Sequence, residues 1–312
     1  IYLFFLAILG IPVMTMEFSM GRASRKSPIH LYQRIAPEGS KWNLHGIVCM
    51  AGNYILMMFY TTVAGWMIKY FVSMARGDFE GLDKDGVAGL FGGMLSSPSI
   101  QVGYMAVVVI VGFFINSLGL QNGLEKVSKW MMSSLLIIMV ILAVNSILMK
   151  GSAEGLGFYL LPNVAKVSEI GWPKVIVSAM NQAFFTLSIG IGSMAIFGSY
   201  IGNERSLMGE SVHIAILDTF VAIVSGLIIF PACFTYGVQP DSGPSLIFIT
   251  LPNIFNNMPF GRVWGSLFFV FMSFAAFSTV LAVFETILAC TMDITGWNRK
   301  KSSIVNCIVV LI

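Results

Sequence analysis

The chain has 312 residues, 56% of them hydrophobic and only 11% charged, with a net charge of +3. An ordinary soluble domain is roughly 25% charged. The composition therefore excludes a soluble globule and specifies a chain that faces a lipid bilayer. The slight positive excess arises from the loops and makes no case for nucleic acid.

A membrane-spanning helix needs about 20 mostly apolar residues. By that rule the sequence predicts seven spans, at about 1–20, 44–72, 101–121, 127–149, 175–201, 211–237 and 262–292. An eighth begins near Ser303 and stops at Ile312. The chain opens inside an apolar run, Ile1-Tyr2-Leu3-Phe4-Phe5, without an initiator Met or the basic leader of a signal peptide. The expectation is one multi-pass transmembrane domain over 1–312. It is read as a fragment, with at least one helix before Ile1 and several after Ile312.

The loops alternate in charge. Arg22, Arg25, Lys26, Arg34 and Lys41 follow the first span; Lys126, Lys129, Arg205, Arg299, Lys300 and Lys301 fall in loops on the same side. The opposite loops mix Arg76 and Lys84 with Asp78, Glu80, Asp83 and Asp85. Short basic loops lie in the cytoplasm by the positive-inside rule. Among the outer loops, Gly155 to Pro162 reads as a surface turn, and Pro240-Asp241-Ser242-Gly243-Pro244 as a strong turn signal. Ser245 to Pro252 is apolar but too short to span; a capping helical hairpin and a loop lying in the interface both fit.

Cys49, Cys233, Cys290 and Cys307 all lie in apolar spans without a Cys-x-x-Cys pattern and read as small packing residues. His30, His45 and His213 have no metal-ligand spacing. No His-Glu-x-x-His, nucleophile–base pair or nucleotide loop is present, so the chain is not read as an enzyme.

The fifth span carries the strongest functional signal. Phe184-Phe185-Thr186-Leu187-Ser188-Ile189-Gly190-Ile191-Gly192-Ser193 puts hydroxyl and small residues halfway along it. Backbone polar groups in lipid must be satisfied internally, so such a run predicts a helix that breaks and offers its backbone to something polar. Two half-helices meeting at a break are how many secondary transporters build a site. The residues also fit an unbroken helix with Ser188 and Gly192 on a packing face. Asp218 is the second signal. An aspartate deep in an apolar run costs about 2.5–3.5 kcal/mol on insertion scales and is a functional candidate by default.

Gly10-Ile11-Pro12-Val13-Met14-Thr15-Met16-Glu17-Phe18-Ser19-Met20-Gly21-Arg22 resembles the second transmembrane helix of the neurotransmitter:sodium symporter family, on its bacterial amino-acid-transporting side. The Phe-Phe-Thr-Leu-Ser-x-Gly-x-Gly segment is similar to the family's broken sixth helix, and Ser278-Thr279 to the sodium-binding hydroxyl pair of its eighth. The likeness runs through the chain in order, from helix two to the start of helix nine. Members of this family are among the proteins from which the broken-helix rule was drawn.

The resemblance implies an all-α membrane protein with an incomplete five-plus-five inverted repeat and a broken helix at the midplane. It implies a sodium-coupled symporter of a neutral, hydrophobic or aromatic amino acid in a bacterial inner membrane. The other reading is a transporter-like sensor that binds without translocating. Leu56, Tyr60, Ser188, Gly190, Ile191, Thr279 and Val283 would line the substrate pocket, with Phe185 capping it from outside. Thr186 would serve both the pocket and, with Asp218, a first sodium site; Ala275, Ser278 and Thr279 would form a second. Asp218 would supply the negative charge that chloride brings in chloride-dependent members, which Ala222 could not, so no chloride is expected. Gln182 would hydrogen-bond that acid, Glu17 would support the unwound segment, and Tyr200 and Asp293 would belong to a cytoplasmic gate. Glu285 fits either that gate or a water path. The particular substrate, stoichiometry and oligomeric state are left open.

Overall fold

The computed structural model describes residues 1–237 and 243–312, with Gln121 and Asn122 described by backbone alone. Among the described residues every regular element is a helix. The turn expected at Pro240–Pro244 falls largely outside them.

The first helix, α1, runs Tyr2–Ser24. Its Leu6–Gly10 stretch is a π-turn just before Pro12. Proline lacks an N–H and crowds the carbonyl four residues back, which loosens the ladder at that point. Arg25 ends the helix in a left-handed conformation, and the short α2, Pro28–Ile35, follows. The third helix, α3, is Asn43–Arg76. Its 34 residues reach about 51 Å, well beyond a bilayer core of about 30 Å. Gly77, at φ 87°, closes it.

The next helices are α4 (Lys84–Leu95, capped by Asp83), α5 (Pro98–Ser117) and α6 (Gly123–Ile147). Then come α7 (Ser152–Leu160), α8 (Val164–Ile170), α9 (Trp172–Thr186) and α10 (Ser193–Tyr200). The last four are α11 (Leu207–Thr235), α12 (Leu246–Asn256), α13 (Gly261–Thr295) and α14 (Arg299–Leu311). Among the described residues six continuous helices are long and apolar enough to cross a membrane, near the positions expected apart from the fifth span, which is split into α9 and α10.

Two expectations about the outer segments change. Gly155 to Pro162 is not a surface turn: most of it belongs to α7, which packs on α11. A Cβ at Gly155 would lie 2.5 Å from the Phe230 carbonyl oxygen, and the Tyr159 ring stacks on Phe230 at 4.8 Å. The glycines here permit close helix contact rather than a turn. The apolar stretch after Ser245 is helical and buried in its inner half, with Phe248, Thr250, Leu251 and Ile254 almost fully enclosed. Phe248 sits among Trp66, Tyr70 and Phe91 at 4.9–5.6 Å, so an aromatic cluster clasps α12 and α4 to the end of α3.

The centre of the bundle is α3 against α13, flanked by α5, with Phe113 stacked on Phe284 at 3.9 Å. On the other side α10 lies on α1. Gly21 approaches Ala195 and Gly198 approaches Phe18 so closely that a Cβ on either glycine would strike backbone. Small residues let helices meet backbone to backbone in this way. Large apolar side chains such as Ile55, Met58, Phe59, Ile137, Leu217 and Phe220 point outward, as a lipid-facing surface requires.

Candidate functional site

The break between α9 and α10 lies at the predicted glycines. Ser188 (φ 52°), Gly190 (φ 91°) and Gly192 (φ 81°) all adopt left-handed conformations. Bonding turns irregular: Ser188 N donates to Phe185 O at 3.1 Å and Ile189 N to Phe184 O at 3.2 Å, before regular turns resume with Ile196 N on Gly192 O. Ser188 pays a backbone cost that glycine would not, and such strain persists only where the surroundings hold it. Gly192 has a second reason to lack a side chain: a Cβ there would lie 2.5 Å from Pro28 Cγ.

Three side chains hold the unwound segment. The Gly190 amide donates to Glu17 Oε1 at 2.6 Å. Asn53 Nδ2 donates to Ile191 O at 2.8 Å, and Cys49 Sγ to Gly190 O at 3.5 Å. Glu17 is 8% exposed, so its carboxyl group sits inside the protein beside the break. Asn53 and Cys49 were not anticipated as partners of the break, because nothing in an apolar helix marks the face that meets it.

Thr186 and Asp218 come together. Thr186 Oγ1 donates to Asp218 Oδ2 at 2.7 Å, joining the end of α9 to the middle of α11. Tyr2 lies near Thr186, Thr219 and this acid, a neighbourhood with no sequence signal. Gln182 does not join them. It is exposed and makes no hydrogen bond to Asp218, although it stands one turn before Thr186 on α9.

Ser188, Thr279 and Val283 do converge. With Ser193, Met194, Ser278 and Ala282 they line a cavity of about 200 Å³ between the break and α13. Tyr60 lies beside Thr279, and Leu56 packs in the same cluster as Val283. The Ser278 hydroxyl donates to Ala275 O at 2.8 Å, and Thr286 Oγ1 to Ser193 Oγ at 3.1 Å, tying α13 to the first residue of α10. Gly190 and Ile191 depart from expectation and line no wall of this cavity. The left-handed turn at Gly190 directs it toward α1 and α3, where it borders a separate cavity of about 300 Å³ with Glu17, Tyr32 and His45. Phe185 is 69% exposed and stands outside both.

At the basic-loop end, Tyr200 and Asp293 hold different partners and make no hydrogen bond to each other. The Tyr200 hydroxyl donates to Glu285 Oε1 at 2.7 Å. Asp293 accepts from Ser27 N at 2.8 Å and lies 3.6 Å from Lys26 Nζ. Glu285, left undecided above, is fully buried and clasped by both Arg299 nitrogens, at 2.7 and 2.6 Å. Arg299 read as one more loop charge; the turn at Gly296 (φ 67°) brings it back over α13 as the counter-ion. Among the described residues, no group of three His, Cys, Asp or Glu side chains is placed to bind a metal.

A bundle of membrane-length helices beside an interrupted one, with a carboxylate and a hydroxyl-lined cavity at the break, is the architecture on which secondary transporters build a site. The model of the sodium:neurotransmitter symporter family matches residues 1–79 and 92–312, and the chain belongs to that family. It is 33% identical over 307 residues to the uncharacterized sodium-dependent transporter YhdH of Bacillus subtilis, covering 97% of this chain and 66% of the relative. An uncharacterized sodium-dependent transporter of Haemophilus influenzae is 29% identical over 304 residues, covering 95% and 66%. The crystal structure of MhsT in complex with L-phenylalanine superposes with a TM-score of 0.89 at 32% identity, covering 99% of this chain and 69% of that one. The chain thus spans about two thirds of the length of the relatives it matches. The all-helical, broken-helix fold expected from the sequence is the fold of this family.

Proposed function

We propose that the full-length protein is a sodium-coupled symporter that carries a neutral amino acid with a hydrophobic or aromatic side chain across a bacterial inner membrane without chloride. The observation that carries this reading is the Thr186–Asp218 contact at the end of α9, next to a break where the backbone leaves the helical ladder. An alkali cation is a hard ion that takes hydroxyl, carboxylate and carbonyl oxygens. Thr186 and Asp218 supply the first two types; Ala275, Ser278 and Thr279 supply carbonyl and hydroxyl oxygens for a second ion.

The substrate would sit against Ser188 and Thr279, with the Tyr60 hydroxyl toward its carboxylate and Leu56 and Val283 around its side chain. Phe185 would reach this place only by swinging inward. Asp218 keeps a fixed negative charge beside the first ion, which supports chloride independence. Tyr200, Glu285 and Asp293 lie toward the basic loops, where an inner gate would stand. The energetics suffice: one charge crossing 100 mV is worth about 2.3 kcal/mol, which is about fifty-fold in concentration.

The test is uptake by the full-length parent of a panel of amino acids and amines, with sodium replaced by choline and chloride by gluconate in turn. Uptake of an apolar amino acid that needs sodium and survives gluconate is expected. Sodium-dependent binding without uptake of any panel member would return the sensor reading, and strict chloride dependence would overturn the role given to Asp218.

A further inference from the structure

Asn53 is fully buried on α3, and its side-chain nitrogen donates twice: to Cys49 O at 2.7 Å within its own helix and to Ile191 O at 2.8 Å across the gap. An amide nitrogen carries two protons, so both bonds form together. One turn earlier, Cys49 holds the Gly190 carbonyl. Two successive carbonyls of the unwound segment are therefore gripped from one face of α3. Cys49, Asn53, Leu56 and Tyr60 follow one another at i, i+4, i+7 and i+11, the spacing of a single helix face.

Ile191 sits between two left-handed glycines, Gly190 and Gly192. Glycine turns through these conformations at little cost, so the peptide planes on either side of Ile191 are hinged. The Gly190 amide is fixed by Glu17 and the Gly192 carbonyl by Ile196 N. The Ile191 carbonyl between them is held by Asn53. Burying this amide is costly, because Asn53 Oδ1 has no hydrogen-bond partner and an orphaned buried acceptor forfeits its hydration. An apolar residue of similar volume would fill the space without that penalty. The nitrogen, not the volume, accounts for asparagine here.

We propose that Asn53 is a positioning residue for the substrate site. It fixes the Ile191 peptide and keeps the break in register with the helix that bears Leu56 and Tyr60. This rests on the symporter reading above.

The experiment uses the full-length parent with Asn53→Leu, Asn53→Ala and Asn53→Gln. Amide hydrogen exchange is followed without substrate in a peptide covering 187–193, with one from 126–147 as control. Loss of the donor in the Leu and Ala variants should speed exchange in 187–193 by about tenfold or more, the equivalent of one lost buried bond, and leave the control unchanged. The substrate half-saturation should rise by a similar factor while maximal uptake holds, and the Gln variant, which keeps a donor, should recover part of both. Unchanged exchange and half-saturation in whichever of the Leu and Ala variants folds would overturn the proposal. So would an even rise in exchange across the molecule, the signature of general packing. If the unaltered parent carries no amino acid, the symporter reading fails by itself, and the substrate-site role of Asn53 falls with it even where exchange changes.

Discussion

Glu17 and Gly190 meet through a 2.6 Å hydrogen bond in which the backbone amide of the broken helix donates to the carboxylate of α1. A buried acid thus takes up a peptide group that the break leaves without a helical partner. Removing the acceptor leaves a buried N–H unpaired, at a cost of about 1–3 kcal/mol. Glu17→Ala in the full-length parent should therefore lower thermal stability by that order and abolish substrate binding. Glu17→Gln, which keeps an acceptor oxygen, should do neither to the same extent. Thermal unfolding with and without substrate measures both; equal behaviour of the two variants would show that the bond does not support the site.

Asp218 accepts from Thr186 beside the break. In the proposed mechanism its charge balances the first sodium ion. Asp218→Asn removes the charge and keeps the shape, so uptake should become dependent on external chloride. Comparison of uptake in chloride and gluconate checks this. Uptake by the variant that remains indifferent to chloride at full rate would contradict the role.

Thr186 is tested separately. Thr186→Val keeps the branched shape and loses the oxygen. The sodium half-saturation should rise by about tenfold, or about 1.4 kcal/mol, with a smaller effect on the substrate half-saturation at saturating sodium. A sodium titration of uptake that overlays the parent curve would remove Thr186 from the ion site.

Glu285 is fully buried against Arg299, whose side chain is 23% exposed. Breaking a buried pair from one side leaves an uncompensated charge and typically costs about 3–5 kcal/mol. Arg299→Leu should be strongly destabilising, and the double variant Glu285→Leu/Arg299→Leu should regain much of the loss. Thermal unfolding of the two proteins decides it: a double variant no better than the single one would mean that the pair is not the source of the effect.

Gly192 combines a left-handed conformation with a Cβ position 2.5 Å from Pro28 Cγ. Gly192→Ala should impair folded yield or substrate binding more than Gly52→Ala, where an added Cβ meets nothing within 4 Å. Equal yields and equal binding would place the constraint elsewhere.

The sequence by itself determined the lipid-facing composition, the approximate position of the long spans, and the place where one of them could break, with an unbroken packing face as the other reading. These are local properties: hydropathy is summed along a window, and the small Ser188, Gly190 and Gly192 mark the candidate place for a break, which the family resemblance then favoured. The pairing of Thr186 with Asp218 came from family resemblance, not from spacing. Only the tertiary structure decided that Gln182 is exposed and makes no bond to Asp218, that α7 replaces an expected turn, that Asn53 and Cys49 grip the unwound carbonyls, and that Arg299 closes on Glu285. Such contacts depend on how far each helix is rotated about its axis, at about 100° per residue. A helix apolar on all sides carries almost no polar face from which that rotation can be read, so it is fixed only when the neighbouring helices pack.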